Sequence, residues 1–287
     1  MRIVTTVSAM QRLGLGWRRE GKTVGFVPTM GSLHDGHVSL IRKARQIVKP
    51  EGVVVASIFV NPSQFGNSDD FDNYPRDLQR DKDLCKDSTV DVLFTPDSEQ
   101  MYPAASGAYS TWVTEELVSR GMEGEARPGH FRGVATIVAK LFHVVLPDVA
   151  IFGAKDFQQA AVIQKMVQDL NFPVKIVIAQ TVRDKDHLAL SSRNARLTQE
   201  ERAQAPVIYR AIQKAKETLK KSAGSVPAGR LKAELTQFIE TQPAARVDYI
   251  EFFDPLSLEP MSDLRPGCHL ALAVYFGKIR LIDNALI

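Results

Sequence analysis

The fold is decided by the stretch Val24-Gly25-Phe26-Val27-Pro28-Thr29-Met30-Gly31-Ser32-Leu33-His34-Asp35-Gly36-His37. It begins as a short apolar strand, which we expect Pro28 to stop, and leads into a helix over 37–48 with apolar residues at helical spacing. After a break at Gly52, residues 53–60 form a second strand that is apolar on both faces. Strand, helix and buried strand in this order are typical of a βαβ unit in a parallel sheet.

The same alternation continues to about residue 181. We predict further strands at 91–94, 149–152 and 174–178, and helices at 77–87, 133–145 and 157–170. Residues 1–181 are therefore expected to form an α/β domain with a Rossmann-like, doubly wound parallel sheet. Ligands of such sheets bind beyond the carboxyl ends of the strands.

Residues 182–287 follow a different pattern, which predicts a smaller C-terminal α+β domain. We expect two helices, over 198–221 and 227–241, and then strands at 247–252, 268–276 and 279–283 that are joined by tight turns. The polar loop over 184–197 follows the boundary between the two domains. Hinges and clefts are common at such boundaries, so we expect this loop, and the smaller domain with it, to act as a lid.

Composition limits the function classes. The chain has 287 residues, of which 44% are hydrophobic, and its net charge of only +3 argues against an extended nucleic-acid surface. Cys85 and Cys268 form neither a C-x-x-C motif nor a zinc pattern, so we expect a protein of the reducing cytoplasm. The N-terminus lacks the apolar core of a signal peptide, and no apolar run approaches the roughly 20 residues of a membrane span.

His34 and His37 form a His-x-Gly-His motif at the predicted start of a helix. A helix N-terminus presents backbone N–H groups and the positive end of the helix dipole, which suits phosphate binding. Gly31 and Gly36 would let the backbone approach a ligand closely. A metal-binding pair or two packed histidines are the alternatives that the motif alone leaves open.

Polar residues also follow other predicted strands. Asn61 and Gln64 come after the second strand, and Lys155-Asp156 comes directly after the strand at 149–152. Two further segments carry arginine: Arg127 opens Arg-Pro-Gly-His-Phe, and residues 190–194 read Leu-Ser-Ser-Arg-Asn. Each could instead be a turn, a helix cap or a surface ion pair. Their convergence on one edge of the sheet favours a binding site for a phosphorylated ligand.

These motifs, in this order, resemble the pantoate–β-alanine ligase family over nearly the whole chain. His-x-Gly-His alone would indicate only the wider nucleotidyltransferase superfamily, which includes class I aminoacyl-tRNA synthetases. The specific segments are Pro28–His37, Phe59–Phe65, Tyr74-Pro75-Arg76, Arg127–Phe131, Phe152–Gln159 and Leu190–Asn194.

The resemblance implies a reaction and its participants. Pantoate would attack the α-phosphorus of MgATP to form pantoyl adenylate, and β-alanine would then attack the adenylate, so that pantothenate, AMP and pyrophosphate are released. The implied cofactor is Mg²⁺, with ATP as a substrate. The implied partners are small molecules rather than nucleic acid or membrane, and the family expectation is a cytoplasmic homodimer.

The resemblance also implies roles for particular residues. His34, His37, Lys155 and Arg193 would be the catalytic groups. The nucleotide-binding set would be Met30, His34, His37, Gly153, Lys155, Asp156, Val182, Leu190, Ser191, Ser192 and Arg193. The substrate-binding set would be Asn61, Gln64, Arg127 and Gln159, and Asp81 would be associated with the metal. Leu190, His143 and Arg80 depart from the usual family residues, and Arg80 weakens the case for direct metal ligation by Asp81.

Three other functions remain open from the residues alone. The first is a nucleotidyltransferase that releases an adenylated small acid. The second is a nucleotide-binding module without catalysis. The third is a synthetase linked to RNA, for which the small C-terminal domain and the modest net charge give little support.

Overall fold

The computed structural model describes residues 1–66, 71–103, 109–222 and 224–287. The chain divides into two compact units. The first contains Met1–Ala154 and Gln158–Gln180, and the second contains Lys155–Phe157 and Thr181–Ile287. The sequence prediction places the domain boundary between 181 and 182, and it does not anticipate that three residues next to the first-unit sheet would belong to the second unit.

The first unit contains a six-stranded sheet in the order β1-β4-β3-β2-β5-β6, with all described neighbours parallel. Its strands are β1 (Arg2–Val4), β2 (Val24–Thr29), β3 (Val53–Ile58), β4 (Val92–Phe94), β5 (Val149–Gly153) and β6 (Lys175–Ala179). The predicted doubly wound sheet is confirmed. The sequence prediction omits the edge strand β1, which is too short to show a period.

Helices cover both faces of this sheet. They are α1 (Val7–Arg19), α2 (Asp35–Val48), α3 (Leu78–Asp87), α4 (Ser98–Met101), α5 (Met122–Ala126), α6 (His130–Val145) and α7 (Phe157–Asp169). Phe26 belongs to the core cluster that contains α1, α6 and α7 residues, whereas the next residue, Val27, belongs to the cluster with α2 and α3. Successive side chains of a strand point to opposite faces, so the two clusters lie on opposite sides of the sheet.

The strand order reverses between β2 and β5. From β2 the chain moves outward through β3 and β4, and it later returns to place β5 on the other side of β2. In open α/β sheets this reversal is the point at which ligands bind, just beyond the carboxyl ends of the strands. A ligand site is therefore expected at the segments that follow Thr29 and Gly153.

The expectation that Pro28 stops the strand that begins at Val24 is wrong, because this strand, β2, continues to Thr29. The backbone groups of successive residues in a strand point alternately to its two neighbours. The carbonyls of Thr23 and Thr29 accept hydrogen bonds on the side of β3, and the carbonyl of Val24 accepts one from Asp148 on the side of β5. The nitrogen of Pro28 therefore faces β5. The pairing of β2 with β5 covers only Gly25 and Phe26. Pro28 therefore lies where no ladder N–H is needed.

The second unit has a three-stranded antiparallel sheet in the order β11-β10-β8 and a two-stranded pair, β7 with β9. The strands are β7 (Val226–Pro227), β8 (Ala245–Phe253), β9 (Asp263–Leu264), β10 (His269–Phe276) and β11 (Ile279–Leu286), and the helices are α8 (Gln199–Gln204), α9 (Val207–Lys221) and α10 (Ala228–Ile239). Buried side chains of α9, α10 and the larger sheet form one apolar core. The predicted small α+β domain is confirmed.

One predicted helix of this unit is wrong. The helix expected over 198–221 is interrupted at 205–206 and forms two helices. Pro206 has no N–H to donate and its ring collides with the preceding turn of a continuous helix, so the chain ends α8 and restarts at Val207.

Within the described ranges, no helix is long and apolar enough to cross a membrane. Cys85 and Cys268 are free thiols, and both are buried. Burial, reinforced by the charge of Asp81, raises the pKa of Cys85 to about 12, and burial also raises the pKa of Cys268.

Both thiols should therefore resist alkylation in the folded protein. The thiolate is the reactive form, and at pH 8 neither cysteine should ionise appreciably or meet the reagent. We expect less than about one tenth of the thiols to react with iodoacetamide within an hour, and both to react in denaturant. Rapid modification of Cys85 in folded protein would contradict the buried position given to it.

Candidate active site

The loop after β2 has a backbone that most residues avoid. Gly31 has φ +84° and Ser32 has φ +51°, both in the left-handed region. The Thr29 hydroxyl donates to the Ser57 carbonyl over 2.7 Å and accepts from the Gly31 amide over 3.2 Å. The loop is thus held against β3 before α2 begins.

Asp81 holds the same loop from the other side. It lies in the first turn of α3 and is only 1% exposed. Its two oxygens accept hydrogen bonds from the backbone amides of Ser32, over 2.8 Å, and Leu33, over 2.7 Å. A carboxylate that accepts two amides in a buried place fixes the backbone of both residues.

Asp81 was expected to be associated with a metal ion. The part of the chain that the structure describes contains no group of three or more His, Cys, Asp or Glu side chains that could hold one. Since both carboxylate oxygens already serve the loop, we propose that the main task of Asp81 is to position the residues before His34. Direct ligation of a metal by Asp81 stays a prediction.

His34 and His37 lie side by side at the start of α2. His34 is the N-cap, its Nδ1 accepts from the Gly36 amide over 3.2 Å, and the His37 Nδ1 accepts from the His34 amide over 3.3 Å. The ring centroids are 4.1 Å apart. Because each Nδ1 accepts, the proton of a neutral ring lies on Nε2, which makes each ring a donor on its far side. The predicted place of the motif at a helix N-terminus is confirmed.

Asn61 and Gln64 belong to one buried hydrogen-bond network beside the loop that follows β2. Asn61 donates from Nδ2 to Gln64 Oε1 over 3.0 Å and to the Gly133 carbonyl over 3.2 Å. Gln64 in turn donates from Nε2 to the Met30 sulfur over 3.1 Å. An added Cβ at Gly133 would lie 2.4 Å from the Ser63 carbonyl oxygen, so only glycine lets α6 approach this turn so closely.

Tyr102, which sequence reasoning missed, completes the network. Its hydroxyl donates to Asn61 Oδ1 over 2.8 Å. Burial raises the pKa of Tyr102 to about 12, which keeps the phenol protonated and able to donate. The residue gave no signal in the sequence, because a tyrosine after a short helix is usually a packing residue.

Arg127, directly after α5, supports the turn that contains Asn61 and Gln64. Its guanidinium lies 3.2 Å from His130 Nε2 and donates to the Gln64 carbonyl over 3.4 Å. His130 Nδ1 donates to that carbonyl over 2.8 Å, which fixes Nε2 as the acceptor for Arg127. Glu123 lies 3.7 Å from the arginine. The structure thus brings Met30, Asn61, Gln64 and Arg127 together within the first unit.

The two adjacent glutamines of α7 differ in their surroundings. Gln158 is buried and bonds four backbone groups between Val118 and Glu123, so it ties down a loop. Gln159, the predicted substrate residue, is half-buried in the first turn of α7. A Cβ added at Gly153, at the end of β5, would meet no protein atom within 4 Å. The backbone there permits close approach, as the predicted nucleotide contact requires.

The remaining predicted residues lie in the second unit. Lys155 Nζ is 3.7 Å from Asp156 Oδ1, and the lysine side chain is mostly buried. The Leu190 amide donates to the Val182 carbonyl over 3.0 Å, which closes the loop between them. Ser191 caps a short 3₁₀ turn (Ser192–Arg196) by accepting from the Arg193 amide over 3.2 Å. The cap is one of the alternatives that the sequence leaves open for this segment.

Ion pairs hold the closed loop within its own unit. Arg202 of α8 pairs with Asp184 over 2.7 Å and with Asp186 over 2.5 Å. The hydrogen bond from Arg202 lowers the pKa of Asp186 below its ordinary value. His187 stacks on Tyr209 of α9 with centroids 4.7 Å apart. The segment expected to act as a lid is therefore anchored to α8 and α9.

Comparison with known proteins now places the chain. The family model described as "Pantoate-beta-alanine ligase" matches residues 2–286. The chain belongs to the pantoate–β-alanine ligase family. The resemblance drawn from the motifs is confirmed, and with it the expectation of an acid–amine ligase.

Relatives of this family match over their whole lengths. A protein of Heliobacterium modesticaldum named pantothenate synthetase is 47% identical over 287 residues, which is 100% of this chain and 99% of the relative. The crystal structure of pantothenate synthetase from Thermus thermophilus has a TM-score of 0.89 and 44% identity, and covers 100% of this chain and 99% of its own.

A further similar structure is a complex with ligands. The pantoate-β-alanine ligase from Francisella tularensis, complexed with "Beta-gamma ATP and Beta-alanine", has a TM-score of 0.82 and 34% identity. The match covers 100% of this chain and 97% of that one.

Replacement of Asp81 by asparagine should loosen the loop before His34. Asparagine would place an NH₂ group opposite the backbone N–H of either Ser32 or Leu33, so that one of these hydrogen bonds is lost. Because the site is buried, we expect the free energy of unfolding to fall by about 1–3 kcal/mol. Urea denaturation measures it. Asp83→Asn, on the exposed side of α3, is the matched control and should change stability by less than about 0.5 kcal/mol. Equal effects of the two variants would contradict the positioning role.

Proposed function

We propose that this chain condenses pantoate with β-alanine at the expense of ATP, through a pantoyl adenylate, and releases AMP and pyrophosphate. The observation that carries the proposal is the His34–His37 pair, held at the helix N-terminus that follows the sheet's reversal point. The Francisella relative, complexed with "Beta-gamma ATP and Beta-alanine", supports the same substrates.

The chemistry explains why residues that bind the phosphates of ATP are sufficient for catalysis. A carboxylate is a poor acyl donor until one of its oxygens becomes part of a good leaving group. Attack of a pantoate oxygen on the α-phosphorus forms that group and expels pyrophosphate. Attack of the β-alanine amine on the carbonyl then expels AMP. Neither step requires an enzyme nucleophile, so catalysis rests on positioning and on stabilisation of negative charge.

The basic and hydroxyl groups supply that stabilisation. His34 and His37 would donate from Nε2 to phosphate oxygens, since each Nδ1 is already engaged with backbone. Lys155 and Arg193 would offset the charge that develops on the phosphates, and the planar guanidinium of arginine suits two adjacent phosphate oxygens. Ser191 and Ser192 would add hydroxyl donors. Met30, Gly153, Asp156, Val182 and Leu190 would line the rest of the nucleotide site.

The Asn61–Gln64 network suits the acid substrate. An amide can bond a hydroxyl and a carboxylate without adding a charge, and Gln64 keeps further hydrogen-bonding capacity beyond Asn61 and Met30. Gln159 would act in the same way from α7. Arg127 would influence the acid through Gln64, whose carbonyl it contacts.

Three further features belong to the proposal. Magnesium would enter with ATP, held by phosphates and water as this ion prefers. The smaller unit would serve as a lid. A cytoplasmic homodimer is the family expectation.

The decisive assay is AMP formation from ATP. The proposal predicts that AMP appears only when pantoate and β-alanine are both present, and that pantoate alone supports exchange of pyrophosphate into ATP. Pyrophosphate release without AMP would favour the transferase that releases an adenylated acid. ATP binding without turnover would favour the non-catalytic module.

Gln64→Ala should impair the use of pantoate rather than of ATP. The loss of a buried amide that bonds the acid should raise the KM for pantoate by about tenfold, equivalent to about 1.4 kcal/mol, with the KM for ATP within about twofold. Steady-state kinetics with each substrate varied in turn measure both constants. Gln79→Ala, at an exposed glutamine of α3, is the control. An equal rise in both KM values would contradict the assignment.

A further inference from the structure

Asn284 of β11 contacts the backbone of Lys155. Its Nδ2 donates to the Lys155 carbonyl over 2.7 Å, and its Oδ1 lies 2.9 Å from His269 Nε2. Asn284 and His269 are 9% and 7% exposed, so both hydrogen bonds are largely shielded from water. Neither residue belongs to any motif that carried the sequence prediction.

The direction of these bonds follows from their partners. The Lys155 carbonyl can only accept, so it fixes the orientation of the Asn284 amide. His269 must then donate from Nε2 to Asn284 Oδ1, as a neutral ring can do. Burial lowers the pKa of His269 and favours that neutral form. The arrangement therefore has one hydrogen-bond polarity, running from His269 through Asn284 to Lys155.

Phe157 anchors the same short segment. Its ring stacks on His269 with centroids 4.0 Å apart and lies 5.7 Å from the ring of Phe253. This packing explains why Lys155–Phe157 belongs to the second unit although its neighbours in sequence belong to the first. The lysine backbone is thus held by one hydrogen bond and by one aromatic stack two residues later.

The adjacent residue, Asp283, holds the loop that leads to Ser191. Its carboxylate is 3% exposed and pairs with both terminal nitrogens of Arg183, over 2.5 and 2.9 Å. It also accepts a hydrogen bond from the backbone N–H of Asn284 over 2.8 Å. The 3₁₀ turn Ser192–Arg196 packs against β11 as well. Two consecutive residues of β11 therefore restrain two segments of the second unit: the backbone at Lys155 and the loop that leads to Ser191.

We propose that Asn284 is a positioning residue for the adenylation step: together with Asp283, it sets the place of Lys155 relative to the Ser191–Arg193 turn. This inference rests on the proposed role of Lys155 as a phosphate ligand. A lysine side chain has four flexible carbons, so its ammonium is well placed only if its backbone is fixed. A shift of about 1 Å in a positioning element can lower a rate by about 100-fold.

The test is a double-mutant cycle between Asn284 and Lys155. Asn284→Asp keeps the size of the side chain and an acceptor for His269, but turns an oxygen toward the Lys155 carbonyl. Single-turnover formation of pantoyl adenylate is measured for the parent enzyme, Asn284→Asp, Lys155→Ala and the double variant. Ile279→Val, which removes one buried methyl group from the same strand, is the matched control.

We expect Asn284→Asp to slow adenylate formation by about 10- to 100-fold, with pantoate affinity within about threefold of the parent. Lys155→Ala should slow it at least as much. In the Lys155→Ala background, Asn284→Asp should change the rate by less than about twofold, because the group through which it acts is gone. Ile279→Val should match the parent enzyme.

Other outcomes separate the two proposals. A parent-like rate for Asn284→Asp, beside an impaired Lys155→Ala, would overturn the positioning role alone. Equal losses from Asn284→Asp in both backgrounds would also overturn it, since a general structural defect does not depend on Lys155. A parent-like Lys155→Ala would overturn the proposed role of the lysine and this inference with it. If Asn284→Asp does not fold, Asn284→Ser enters the same cycle, because serine is too short to span both partners.

Discussion

The reversal of strand order between β2 and β5 is the constraint on which the rest depends. Helices diverge on either side of it, so the ends of these two strands are left uncovered by the crossover connections. β2 leads into the histidine pair and β5 leads to Gly153 and Lys155. The residues to which the proposed function assigns the phosphates thus follow the ends of two strands that are neighbours in the sheet, although they are far apart in sequence.

A second principle recurs in both units: a buried polar side chain fixes the backbone of a basic segment. In the first unit, Asp81 accepts from two amides of the loop before His34. In the second, Asn284 donates to the carbonyl of Lys155. In both cases the restraint acts on backbone atoms rather than on the side chain to which the proposed function assigns the phosphates. Buried polar groups of this kind are costly to remove, because their partners would remain buried without a hydrogen bond.

Sequence reasoning predicted what depends on local pattern. Apolar periods identified the parallel sheet, and His34-Asp35-Gly36-His37 identified the start of a helix. Phosphate binding at this motif stays a prediction. Sequence reasoning failed where distant contacts decide. Pro28 stays in β2 because pairing with β5 ends before it, and Lys155 belongs to the second unit because of Phe157 and Asn284. A clue was present in β11, where Asp283-Asn284 interrupts an apolar strand, since buried polar residues need partners.

The central claim is that pantoate is activated on the nucleotide, with no enzyme nucleophile. Transfer of oxygen label tests it most directly. Pantoate labelled with oxygen-18 in its carboxylate is turned over with ATP and β-alanine, and the AMP is examined by mass spectrometry. The account predicts one labelled oxygen in each AMP, because the oxygen that attacks phosphorus leaves with the nucleotide. AMP without label would contradict the adenylate route.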